Sequence, residues 1–244
     1  GLECARVHFA AGRGICVSKG VNPLKGLEVK LLGPDLGVRG EVEVMGSPSR
    51  ARVSPDGRFG SVTTFVAGHS YVDPGTFSTQ TTLIDMGRGR TLGELERFAI
   101  TRDDKAFRSV DFNFWGVTFV PRSDEFYATL GTRRRTYLVK GDVSARTARV
   151  LRENVECPSL SPDGTRVVYK KRVERGAWRL HVLDLETQHD IALAETRGID
   201  DQAEWLDDRD VLYQVGVDVW TVPADGSGTP RRFLAGGDSP AIVR

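Results

Sequence analysis

Leu160-Ser161-Pro162-Asp163-Gly164-Thr165 and Val53-Ser54-Pro55-Asp56-Gly57-Arg58 are two copies of one turn. Ser suits the first position of a type I turn, and Pro presets the backbone of the second. Asp tolerates the third, and Gly takes the left-handed position that closes the hairpin. Each copy therefore joins two antiparallel strands. Weaker versions recur at Pro121-Arg122-Ser123-Asp124, Leu206-Asp207-Asp208-Arg209 and Ala11-Gly12-Arg13-Gly14. Most of these turns lie about 40–45 residues apart, a period that signals stacked supersecondary units.

Working outward from each turn, the same pattern follows. An apolar strand comes next, as in Val167-Val168-Tyr169 or Val211-Leu212-Tyr213. The third strand alternates apolar and polar residues, most clearly in Trp178-Arg179-Leu180-His181-Val182. An Asp-containing turn and a more polar fourth strand close the unit, as in Pro230-Arg231-Arg232-Phe233-Leu234. Four short antiparallel strands per period predict an all-β fold, a β-propeller of four-stranded blades. The units fall at about residues 3–46, 47–110, 111–155, 156–199 and 200–237 of a single domain spanning 1–244. Residues 238–244 align with Glu156-Cys157-Pro158-Ser159-Leu160 and read as the inner strand of a sixth blade. Its other strands are expected from residues preceding Gly1, with a five-bladed ring and a loose tail as the alternative.

Composition agrees with this reading. The chain has 244 residues, 39% of them hydrophobic, and its 27 glycines and 11 prolines are spread along its length, as many short turns require. A net charge of +1 argues against an extended nucleic-acid or anionic-membrane footprint. No apolar run approaches the roughly 18 residues of a membrane span. Residue 1 is Gly rather than Met, which reads as a processed or partial chain. Cys4 and Cys16 flank the first turn, and a disulfide between them is geometrically feasible, leaving Cys157 over; three buried thiols are the alternative.

The Ser-Pro-Asp-Gly turn, the apolar strand after it and the later Leu-Asp-Leu-Glu-Thr strand end resemble the TolB-type propeller repeat, most closely over Glu156 to Thr187. The layout is similar to TolB-like proteins of high-GC Gram-positive bacteria, which implies a place outside the cytoplasm, secreted or membrane-anchored through preceding residues. TolB itself is a periplasmic partner protein with an extra N-terminal domain, whereas residues 1–244 here read as propeller repeats throughout. The same repeat builds the non-catalytic propeller of prolyl-oligopeptidase-type peptidases, so fold alone does not choose a role.

Links between blades converge on one mouth of a propeller channel. Those links carry Asp111 and Asn113, Asn154 and Glu156, Asp200 and Asp201, and Asp238, an expected acidic ring. It could receive a metal ion or a basic peptide; solvated turn residues are the alternative. Trp115, with Phe112 and Phe114, stands where an aromatic anchors a peptide or packs between blades. The insertion from Gly68 to Thr79 carries His69, Tyr71 and Phe77 and could rim a site. Arg133-Arg134-Arg135 reads as a solvated hairpin tip.

Catalytic signatures are missing. Gly68-His69-Ser70-Tyr71-Val72 lacks the closing Gly of a nucleophile elbow, and His8, His69, His181 and His189 share no spacing. The expectation is a monomeric, non-catalytic module without a cofactor that binds a protein or peptide partner at the acidic mouth. The alternatives are a lyase or hydrolase with a channel-mouth active site, or an accessory or sensor propeller of a larger protein.

Overall fold

The computed structural model describes residues 2–18, 26–66, 78–173 and 177–243. They form five sheets, antiparallel except where one short strand joins the third in parallel. The first contains β1 (Cys4–Ala10), β2 (Arg13–Ser18), β3 (Leu27–Leu32) and β4 (Val38–Val44). The second contains β5 (Ser47–Val53), β6 (Phe59–Val66), β7 (Ser78–Asp85) and β8 (Arg90–Glu94). A single 3-10 turn, Leu95–Arg97, leads to the short strands β9 (Ala99–Arg102) and β10 (Lys105–Phe107). The third sheet is β11 (Asn113–Phe119), β12 (Glu125–Thr132), β13 (Arg135–Asp142) and β14 (Thr147–Glu153). β15 (Glu156–Leu160), β16 (Arg166–Arg172), β17 (Trp178–Asp184) and β18 (Asp190–Ala192) make the fourth. β19 (Glu204–Trp205), β20 (Asp210–Val215), β21 (Asp218–Pro223) and β22 (Arg231–Leu234) make the fifth.

The two Ser-Pro-Asp-Gly turns have one hydrogen-bond plan. Ser54 Oγ donates to Asp56 at 2.6 Å and accepts from Phe59 N–H at 2.9 Å. Ser161 Oγ donates to Asp163 at 2.5 Å and accepts from Arg166 N–H at 3.0 Å. Gly57 and Gly164 sit at φ of 70° and 74°, the left-handed region that glycine enters without penalty. Burial opposes ionisation of Asp163, but hydrogen bonds from Ser161 and Thr165 and the charge of Arg166 outweigh it and hold the carboxyl down at about 2.

Each sheet hides its faces against its neighbours. Phe114 and Phe126 pack in a cluster spanning the second and third sheets, and Tyr169 in one spanning the third and fourth. Trp205 and Tyr213 do the same between the fourth and fifth. Each such side chain, fully buried, contributes roughly 1.5–3 kcal/mol. Phe114 is thus core, as is Phe112 in part, its ring tilted against that of Phe107 with centroids 5.3 Å apart.

Two boundaries differ from the sequence reading. Residues 99–107, counted with the second unit, add to the third sheet, because β9 pairs in parallel with β14 and carries β10 with it. Part of the second unit's extra length is this hairpin, while the insertion with His69, Tyr71 and Phe77 lies largely outside the described residues. Residues 238–243 run along the channel wall without strand assignment. Ser239 nevertheless has a φ of 43°, matching Cys157 at 49° and Gly116 at 63°, which sit where the registers of β15 and β11 shift against their partners. Cys4 and Cys16 are joined by a disulfide across β1 and β2, their Cα atoms 5.2 Å apart, and Cys157 is a buried free thiol.

Candidate functional site

The inner strands β1, β5, β11, β15 and β19 all run from a blade-to-blade link toward a hairpin turn. The links and the turns between second and third strands therefore share one face, the link face. The Ser-Pro-Asp-Gly turns share the opposite turn face.

One repeat position on the inner strands, just before each turn, is polar in all five blades: His8, Arg52, Thr118, Ser159 and Glu204. All five are buried. Arg52 forms an ion pair with Glu204 through Nη1 and donates to Ser159 Oγ through Nη2 at 3.1 Å. His8 Nδ1 accepts from the Val53 N–H at 3.1 Å, and its Nε2 lies 3.2 Å from Arg52 Nη1. Trp205 Nε1 donates to the Ser159 carbonyl at 2.8 Å. Blades one, two, four and five are thus tied together at the axis. An ion pair this buried needs such extra hydrogen bonds to offset its desolvation.

This hub divides the channel. Toward the link face lies a space of about 30 Å³, room for a water or two, bounded by Arg6, Arg50, Asp201 and Ser239. Toward the turn face the channel widens into a chamber of about 660 Å³. Ala10, Val53, Phe119, Leu160 and Ile242 form its apolar wall, Pro55, Pro121 and Pro162 its rim, and Arg52 and Glu204 its floor.

The residues of the expected acidic ring occupy the link face in separate groups. Asp201 pairs with Arg50 at 3.0 Å and Arg6 at 4.0 Å and accepts from Ser239 at 2.7 Å. Burial pushes its carboxyl up, but Arg50, Ser239 and Arg6 together hold it below the usual range. Lys170 Nζ lies between Asp200 at 3.3 Å and Glu156 at 3.9 Å. Burial raises the Glu156 carboxyl against the pull of Lys170. Asp111 accepts from Ser109, Thr132 and the Arg133 N–H, fixing a turn. Asn113 accepts from the Thr79 N–H, and Asn154 exchanges two hydrogen bonds with the Arg172 backbone. Trp115 lies over Gly131, where a Cβ would come within 2.6 Å of its ring. Asp238 is exposed. Among the described residues no group of three His, Cys, Asp or Glu side chains stands together to hold a metal ion.

The hub and the chamber wall were absent from the sequence reading. Their signal was the shared repeat position of His8, Arg52, Thr118, Ser159 and Glu204, polar at the same place on every inner strand.

No family model matches the sequence, and no curated protein matches it. Solved structures do. TolB from Acinetobacter baumannii superposes with a TM-score of 0.57 at 14% identity, over 91% of this chain and 53% of that one. Putative TolB from Agrobacterium tumefaciens gives 0.55 at 12% identity, over 95% and 82%. The fold is a TolB-like propeller. This TolB-like propeller spans about half the length of the Acinetobacter protein. A nidogen/laminin complex shares the architecture, with a TM-score of 0.62 at 12% identity over 98% of this chain and 83% of that one. At such identities the likeness is one of fold. Among the described residues no helix is long and apolar enough to cross a membrane.

Proposed function

We propose that this TolB-like propeller is a non-catalytic binding module outside the cytoplasm, engaging a protein partner with its link face. The observation that carries this reading is the company kept by the acidic mouth. Val110, Val217 and Met45, at 94%, 76% and 51% exposure, stand in links or turns of that face from different blades. The Asp200 side chain, in the link to the fifth blade on the same face, is fully exposed. Apolar anchors around a charged centre suit a protein interface, because burying them drives association while the charge selects the partner. Residues Trp115, Asn154, Glu156 and Asp238 belong to the same proposed surface. The Cys4–Cys16 disulfide supports an oxidising compartment.

The test is affinity capture from envelope extract with the native chain, Val217→Asp, and a Met45→Asp/Asp200→Arg double variant. Selective loss of one partner from both variants, with unchanged melting temperature, is the expected result. An identical partner set in all three removes the link face from consideration.

A further inference from the structure

Buried apolar clusters join the first sheet to the second, the second to the third, the third to the fourth and the fourth to the fifth. Among the described residues no such cluster joins the fifth sheet to the first. Residues 238–243 stand in that seam, where Ser239 accepts from Arg6 of the first sheet at 2.6 Å and donates to Asp201, just before the fifth, at 2.7 Å.

This segment has the form of an inner strand without the partner of one. Asp238-Ser239-Pro240-Ala241-Ile242 parallels Glu156-Cys157-Pro158-Ser159-Leu160, with the proline and the positive φ at the same places. Pro240 borders the link-face space and Ile242 the turn-face chamber, so the segment runs in the inner-strand direction. Glu156–Leu160 are all buried beside β16, whereas 238–243 are all exposed or half-buried. Among the described residues no strand pairs with them. An accessible, unpaired row of N–H and C=O groups is a template for an added strand.

The fourth blade gives the register of such a strand. Leu160 N–H donates to Thr118 Oγ1 at 3.1 Å, toward the third blade, so the adjacent Ser159 directs its backbone bonds to Val168. Ala241 stands at the Ser159 place. Glu156 faces Lys170, and the exposed Asp238 stands at the Glu156 place. An added strand would set apolar residues opposite Ala241 and Ile242, as Val168 and Val167 are set, and a basic residue opposite Asp238.

The charge of the seam agrees. In β3 and β4, Val29, Leu31, Val42 and Val44 pack toward the second sheet, which turns the alternate residues Glu28, Lys30, Glu41 and Glu43 to the seam side. The three glutamates are exposed, and Lys30 pairs with Glu28 at 2.9 Å. An excess of carboxylates selects a basic partner. We propose that the edge of 238–243 accepts an extended, lysine- or arginine-bearing segment of a partner protein by antiparallel strand addition, with the basic residue facing Asp238. The site shares only Asp238 with the link-face surface proposed above and uses none of Val110, Val217 and Met45.

The probe is a peptide with the sequence of β16, Arg166–Arg172, because that strand already pairs in this register with Glu156–Leu160. The readout is ¹H–¹⁵N NMR titration and amide hydrogen exchange on the full chain. The peptide is expected to shift the amides of Ser239, Ala241 and Ile242 and to slow exchange of the Ala241 N–H roughly tenfold at saturation. A scrambled peptide of the same composition should not slow it. The peptide carrying Lys170→Glu should bind about three- to tenfold more weakly, and Asp238→Lys in the protein should reverse that preference. Ala241→Pro removes the pairing N–H outside the five sheets, and should abolish binding without lowering the melting temperature. Val110→Asp should leave the affinity unchanged; a loss there would move the binding to the link face. The proposal is overturned if the β16 peptide shifts none of these amides, if the scrambled peptide binds equally well, or if Ala241→Pro still binds. A concentration-dependent dimer in sedimentation that Ala241→Pro dissolves would give the edge to a second copy of the chain and overturn it equally.

Discussion

Arg52 and Glu204, 152 residues apart in sequence and on non-neighbouring blades, form an ion pair on the axis of the ring. The pair acts as a clasp: each inner strand that supplies a member is held at a fixed distance from the others. Removing one member leaves the other charge buried and uncompensated, which costs about 3–5 kcal/mol. Arg52→Met is expected to destabilise the fold by that amount in urea unfolding. Arg52→Met combined with Glu204→Met should be less destabilised than Arg52→Met alone. A double variant no more stable than the single one would mean that the charges are not coupled.

The disulfide fixes the first hairpin, where β1 must hold its place at the junction with residues 238–243. Cys4 and Cys16 are separated by 12 residues. Closing a loop of this size removes unfolded-state entropy worth about 2–3 kcal/mol. Cys4→Ser/Cys16→Ser is expected to lose that stability, and reductant should lower the melting temperature of the native chain but not that of the variant. Equal sensitivity of both proteins to reductant would place the effect elsewhere.

Two glycines separate backbone strain from crowding. Gly164 has a φ of 74°, and a Cβ there would meet nothing within 4 Å. Gly164→Ala should therefore cost only the left-handed backbone penalty, about 1–2 kcal/mol. Gly116 has a φ of 63°, and its Cβ would stand 2.6 Å from the Cα of Cys157 on the next blade. Gly116→Ala is expected to cost about 3 kcal/mol or more, since backbone rather than a flexible side chain must move. Similar losses for the two variants, by thermal or chemical unfolding, would contradict the blade contact.

The blades were legible because their determinants are local. Ser54 and Asp56, or Ser161 and Asp163, complete a turn within six residues, and the strands beside them alternate at a period of two. The β9–β10 hairpin was not legible. Strands of four and three residues carry no measurable period, and the partner of β9 is β14, which follows it by nearly fifty positions. At the link face Asp200, Asp201 and Glu156 could be seen as acidic residues in links. Lys170 faces Glu156 across the hairpin of their own blade, but the partners of Asp200 and Asp201, namely Lys170, Arg50 and Arg6, lie on strands of other periods, and no spacing connects them. Which charge pairs with which leaves no local mark, so although Arg52 and Glu204 share a repeat position, their pairing emerged only from the coordinates.

Glu96 gives the fold a pH dependence of unusual sign. Its side chain reaches from the 3-10 turn to accept from the N–H groups of Thr81 and Phe114, each at 3.1 Å, joining the second blade to the third. Burial dominates and raises its carboxyl from 4.5 to about 8, while those two N–H groups pull the other way. Between these values the folded chain holds a proton that the unfolded chain releases. Stability from this group is therefore full below pH 4.5 and declines as pH rises toward about 8, opposite to the usual carboxylate. Glu96→Gln keeps an acceptor for Thr81 and Phe114 and removes the titration. Urea unfolding from pH 5 to 8 should show a steeper decline for the native chain than for Glu96→Gln, with the variant the more stable of the two at the upper end. Parallel curves would show that Glu96 is ionised throughout, with its two N–H partners outweighing burial.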